Sequence, residues 1–135
     1  MTVCTFRNAV PGDEERILSF IRALADYEHM SDQVIATPEL LGEWIFEKQK
    51  AEVLFAVADG REVGFALFFH NFSTFLGRAG IYLEDLFVLP EERGKGYGEA
   101  LLKELAREQQ VLLFTCQGRE GAALEGAPGV TRLEL

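Results

Sequence analysis

Seven residues at 93–99, Arg93-Gly94-Lys95-Gly96-Tyr97-Gly98-Glu99, have the types and spacing of a ligand-binding turn. Three alternating glycines let the main chain approach a ligand with no side chain in the way. An amphipathic run begins at once, so the glycines fall where a helix N-terminus offers N–H groups and the positive end of its dipole. That is an anion site, and Arg93 adds a guanidinium able to grip two phosphate oxygens. Spacing excludes two common phosphate loops. The pattern G-x-x-x-x-G-K-[ST] is absent, and the third glycine position of the dinucleotide fingerprint is not filled. A glycine-rich turn without a ligand is the competing reading.

Just upstream, Glu84 and Asp85 interrupt the apolar run "IYLEDLFVL" (81–89). Acids are seldom tolerated in such a strand unless they are paired or used. Neighbours on a regular strand face opposite sides, so one acid is expected in a cleft and the other on a structural partner. Either residue alone would equally suit a pairing with a buried arginine or a backbone donor.

The elements that must position these residues follow from periodicity. Residues 3–7 predict a short first strand. Residues 11–28 predict a helix opened by Pro11-Gly12 and capped by Asp13, with Ile17, Phe20, Ile21 and Leu24 on its apolar stripe. Thr37-Pro38 starts a second helix that carries Leu41, Trp44 and Ile45 inward and ends near Lys50. "EVLFAVADGREVGFALFFH" (52–70) predicts a hairpin turning at Asp59-Gly60. A loop (71–80) and a third long strand (81–89) follow, then a helix from about Gly96 to Gln109. "VLLFTC" (111–116) and "VTRLEL" (130–135) can each be a strand, while 117–129 reads as loop or disorder. The fold class is α/β with a mixed sheet, one strand–loop–helix unit following antiparallel strands.

At 135 residues the chain is expected to be one domain that buries about two thirds of its unfolded surface. No apolar run approaches the ~18 residues of a membrane span, so no membrane partner is expected. Two cysteines do not make a disulfide framework, no Cys/His spacing suggests a metal, and the N-terminus lacks a signal peptide's pattern. A cytoplasmic setting is the expectation. A net charge of −9 argues against nucleic acid as a partner. It would suit a cationic small substrate, and equally mere solubility.

R-G-x-G-x-G opening a helix after an apolar strand resembles the acetyl-CoA loop of the GNAT superfamily of N-acetyltransferases. "RALADYEHMSDQV" (22–34) and "GRAGIYLEDLFVLPEERGKGYGEALLKEL" (77–105) are similar to its diamine branch, which acetylates spermidine, spermine, thialysine or related amines. The resemblance spans about residues 3–108. It implies a GNAT acyltransferase domain over 1–116, with an atypical Gly/Ala-rich tail over 117–135. It implies acetyl-CoA as co-substrate, no metal, a small amine as substrate and a homodimer. Backbone groups of Leu86, Phe87 and Val88 would pair with the pantetheine arm. Arg93, Gly94, Lys95, Gly96, Tyr97, Gly98 and Glu99 would cradle the pyrophosphate, mostly through main-chain N–H groups. Tyr27 and Glu28, otherwise only a helix end, would touch the substrate. Glu84 would contact the amine and act as catalytic base.

The resemblance also implies a C-terminal tyrosine acid and an asparagine that touches the coenzyme. This sequence has no tyrosine after Tyr97 and no asparagine after Asn71. Either 129–135 is the family's fifth strand behind an insertion, or 111–116 is that strand and the remainder a tail. Cys116 would then be a replacement acid or a small core residue. On this reading the C-terminal part of the fold is incomplete. A coenzyme-binding module with little turnover stands as the alternative to an enzyme.

Overall fold

A computed structural model describes residues 4–107 in full and the backbone of residues 111–113. The elements run β1 (Thr5–Asn8), α1 (Glu14–Tyr27), α2 (Pro38–Leu41), β2 (Glu52–Ala58), β3 (Arg61–Ser73), β4 (Arg78–Val88), α3 (Tyr97–Leu105) and β5 (Val111–Leu113). They build one five-stranded sheet in the order β1-β2-β3-β4-β5. Every neighbouring pair is antiparallel except β4 and β5, which run parallel. The expected strand at 111–116 therefore exists at least over 111–113. The tail expected at 117–135 and Cys116 lie outside the described residues. No helix among the described residues is long and apolar enough to cross a membrane.

Side chains alternate between two cores. On one face α1 and α2 cover Phe55, Phe65 and Phe87, with Phe20 stacked on Phe65 at 5.1 Å between ring centres. On the other, α3 lays Tyr97, Leu101, Leu102 and Leu105 over Leu54, Ala66, Phe68, Ile81 and Leu83. The β2–β3 hairpin turns where expected, because Asp59 (φ 52°) and Gly60 (φ 77°) both adopt the positive φ that a tight reversing turn demands.

Three local expectations are corrected. Asp13 precedes α1 but makes no side-chain cap. Its carboxylate instead accepts from Val10 N (2.8 Å) and from the Arg7 guanidinium (2.9 and 3.1 Å), and the Arg7 bond holds its pKa below the usual carboxylate range. Trp44 is 46% exposed rather than inward, because α2 widens into a π-helical turn over Gly42–Glu47 that keeps Ile45 buried. Lys48 lies over the Trp44 ring at 4.2 Å. The expected loop at 71–80 is mostly strand, with Asn71 opposite Gly80 and Ser73 opposite Arg78.

The feature that matters most for function is in β4. The register passes from Leu67↔Asp85 to Phe68↔Leu83, which leaves Glu84 without a partner in β3. This is a β-bulge, a device that kinks a strand and re-aims its side chains. Leu83 and Leu86 both face the α3 core although they are three positions apart, an odd spacing that a regular strand would put on opposite faces. The strand is therefore not regular at the two acids, as simple alternation had required. Pairing with β5 covers Ile81 to Leu83 only. Among the described residues, β4 is thus unpaired on its β5 side from the bulge to Val88.

Gly64 of β3 keeps this strand close. A Cβ there would lie 3.0 Å from the Phe87 carbonyl oxygen and 3.2 Å from Val88 Cγ2. The backbone oxygen is fixed by sheet pairing, so Gly64→Ala should lower stability by about 1–3 kcal/mol. Urea unfolding tests this; a loss below about 0.5 kcal/mol would show that the β3–β4 contact yields easily.

Candidate active site

The glycine loop meets α3 as an uncapped helix N-terminus. Gly94 (φ 81°) and Gly96 (φ 86°) both take left-handed conformations, which glycine alone adopts without cost. Gly96 is the residue before the helix, and no side chain caps the first-turn N–H groups. Nothing lies within 4 Å of the place where a Cβ of Gly94 would stand. The N–H groups of Tyr97, Gly98 and Glu99 are therefore left without a side-chain cap, the arrangement that suits an anion. Side chains of the loop are committed elsewhere. The Tyr97 ring is buried in the α3 core, Lys95 pairs with Glu92 (3.0 Å) and Glu99 with Lys103 (3.0 Å). The main chain is what this loop offers a ligand.

Next to it runs the β4 edge that has no partner strand among the described residues. Its outward N–H and C=O groups, of which the Val88 carbonyl accepts from Arg93 Nε, suit an extended chain added as a further strand. At the upper end of that edge sit the acids. Asp85 is half-buried opposite Leu67, on the α1 face, while Glu84 is exposed on the bulge. Burial, followed by the charges of Glu84 and Glu28, pushes the Asp85 carboxyl up to about 6. Glu28 follows α1, whose end is closed by bonds from His29 N to Asp26 O (3.1 Å) and Met30 N to Ala25 O (2.8 Å). These two bonds form a Schellman closure with His29 (φ 58°) in the left-handed position.

Tyr27 connects the two ends of the site. Its ring meets Phe87 edge-on at 6.2 Å, and the Arg93 guanidinium lies 4.1 Å above it. The same guanidinium is 4.9 Å from the Phe87 ring, and its Nε donates to the Val88 carbonyl at 3.1 Å.

Residues 16–116 match the family model described as "Acetyltransferase (GNAT) family". The chain belongs to the GNAT acetyltransferase family. It is 41% identical to a thialysine N-epsilon-acetyltransferase of Bos taurus, over 78% of this chain and 67% of that one. It is 32% identical to the protein of that name in Caenorhabditis elegans, over 71% and 59% of the respective chains. An aminoglycoside acetyltransferase from an uncultured soil sample, solved with sisomicin, shares the fold with a TM-score of 0.78 at 16% identity, covering 98% of this chain and 92% of that one. The chain is accordingly an acetyltransferase, with the mixed sheet and flanking helices of that family.

The acetyltransferase structure brings Tyr27, Arg93, Phe87 and Val88 into direct contact and sets Glu28 and Glu84 around Asp85. It does not bring all the expected loop side chains to one point. Of Lys95, Tyr97 and Glu99, the two charged side chains are paired with neighbours and the phenol is in the core. Sequence alone does not distinguish Asp85 from Glu84; what singles it out, partial burial beside two other acids, exists only in the fold. Tyr82 also enters only through the fold. Its ring stacks on Phe69 at 4.7 Å, on the same sheet face as Asp85. Two open cavities, of about 350 and 540 Å³, lie at the other end of the sheet around Glu52 and His70, and none of the candidate residues lines them.

Proposed function

We propose that this acetyltransferase transfers the acetyl group of acetyl-CoA to a primary amine of a small polyamine or amino-acid-like substrate. The observation that carries the proposal is the junction in β4. Among the described residues one strand supplies an unpaired edge leading to a helix N-terminus without a side-chain cap, and near the bulge at its other end Asp85 feels the charges of Glu84 and Glu28. The residues fit the coenzyme: glycines where phosphates need room, and strand edge where an amide-bearing arm needs partners. The relatives named for thialysine support an amine with a second charged group.

Acetyl-CoA supplies a thioester whose thiolate, with a pKa of about 8.5 by analogy with cysteine, leaves readily. The protein's residues do the rest. An alkyl ammonium, with a pKa near ~10.4, is drawn to the carboxylates of Glu28 and Glu84 and must lose a proton before it can attack. Asp85, ionised above about 6, accepts that proton directly or through a water. A main-chain N–H near Leu86 can stabilise the charge that develops on the carbonyl oxygen. The nitrogen–carbon bond forms as the carbon–sulfur bond breaks, and the thiolate takes up a proton from solvent.

The test is thiol release from acetyl-CoA with thialysine, spermidine or glutamate as acceptor. Thialysine and spermidine should be turned over, and glutamate, which the three acids repel, should be much slower. Glutamate serving as well as the cationic amines would overturn the substrate class. Stabilisation by coenzyme A with no turnover of any amine would replace the proposal with a coenzyme-binding module.

A further inference from the structure

We infer that Arg93 is a positioning residue that couples the amine end of the site to the coenzyme end, rather than a phosphate ligand. This rests on the acetyl-CoA reading above and goes beyond it. The geometry points away from a phosphate grip through Nε, because the guanidinium is half-buried, its Nε–H is used and two aromatic rings lie against it. Its Nε–H is used on the Val88 carbonyl (3.1 Å), one of the β4 edge groups facing the expected pantetheine arm. Its central carbon lies over the ring of Tyr27 (4.1 Å to the ring centre), which stands next to Glu28. Phe87, from the strand between them, closes the contact at 4.9 Å. The guanidinium thus ties the end of α1 to the end of β4, at the point where the phosphate loop begins. A planar cation with a directional N–H can do this; a lysine ammonium cannot lie flat on a ring and hold that carbonyl together.

The consequence is energetic coupling. Tyr27 is not expected to touch the coenzyme, yet removing its ring releases Arg93 and with it the alignment of Val88 and the loop. By reciprocity, a coenzyme that fixes Val88 and the loop also fixes the Tyr27 wall of the amine site.

The experiment is calorimetric titration of coenzyme A into the wild-type protein, Tyr27→Phe, Tyr27→Ala, Arg93→Lys and the double variant Tyr27→Ala/Arg93→Lys, each first shown to be folded by its melting curve. Tyr27→Ala should weaken coenzyme binding about 5–10-fold, the scale of one well-formed cation–π contact. Tyr27→Phe, which keeps the ring, should stay within about 2-fold of wild type. Arg93→Lys should weaken binding at least as much as Tyr27→Ala, and the double variant no more than Arg93→Lys alone. Rescue of binding by Arg93→Lys would show a simple phosphate charge and overturn the inference. So would wild-type affinity in Tyr27→Ala, or losses that multiply in the double variant. Failure of the wild-type protein to bind coenzyme A would instead refute the acetyl-CoA reading itself.

Discussion

Gly96→Val is expected to abolish coenzyme A binding while leaving a folded protein. In the wild type, coenzyme A at a hundred times its Kd should add about 2.7 kcal/mol of stability, seen as a raised Tm. The variant should show no shift at any coenzyme concentration. Two effects act together. Gly96 has φ 86°, a conformation that costs an ordinary L-residue on the order of 1–2 kcal/mol and is rarer still for a β-branched one. A valine that escapes the strain rotates the peptide leading into α3 and turns the Tyr97 and Gly98 N–H groups away from the phosphates. A valine that accepts it places two methyl groups at the helix entrance. The folded core is spared, because Gly96 is exposed and the helix is held by Tyr97, Leu101, Leu102 and Leu105. Undiminished stabilisation of Gly96→Val by coenzyme A would show that the loop is a turn and not a cradle.

Asp85→Asn should give a more stable and far less active protein. The folded pKa of Asp85 is raised to about 6, against an ordinary value near ~4. A raised acid favours the fold while protonated. The stability it contributes is complete below about pH 4 and is lost as pH rises through about 6. At pH 8 the ionised carboxylate therefore costs the fold on the order of 3 kcal/mol, a cost that asparagine does not bear. The variant should melt several degrees above wild type at pH 8, with the gap roughly halved by about pH 5. Turnover should fall by about 10²–10⁴-fold, as expected for loss of a general base. The wild-type rate should decline below about pH 6, and the residual rate of the variant should lack that limb. Equal Tm values at pH 8, or an unchanged pH–rate profile, would remove Asp85 from the chemistry and leave Glu84 as the base.

The order of strands and helices was readable because its signals are local. Asp59-Gly60 marks its own turn, and Thr37 caps α2 by accepting from Leu40 N at 3.1 Å, as its position before Pro38 suggests. The glycine loop was readable for the same reason, since uncovered N–H groups follow from residue type and place. What stayed hidden depends on pairing across strands. Asn71, Ser73, Gly77 and Gly80 have the composition of a loop, but the β3–β4 ladder extends through most of that stretch. Trp44 obeys the spacing of an inward residue in a regular helix, and a wider turn rotates it out. The bulge at Glu84 has no residue signature, so its displacement of two acids relative to the strand, and with it the burial of Asp85, cannot be read before the register is known. The Arg93–Tyr27 contact joins residues 66 positions apart, which no spacing rule reaches.

The most direct test of the central claim is identification of the product. The protein is incubated with acetyl-CoA and thialysine, and the acceptor amine is analysed by mass spectrometry against the thiol released. Acetylated amine should accumulate in equal amount with free coenzyme A, and only when the protein is present. Thiol release without acetylated amine, or no product beyond the protein-free control, would contradict acetyl transfer at this site.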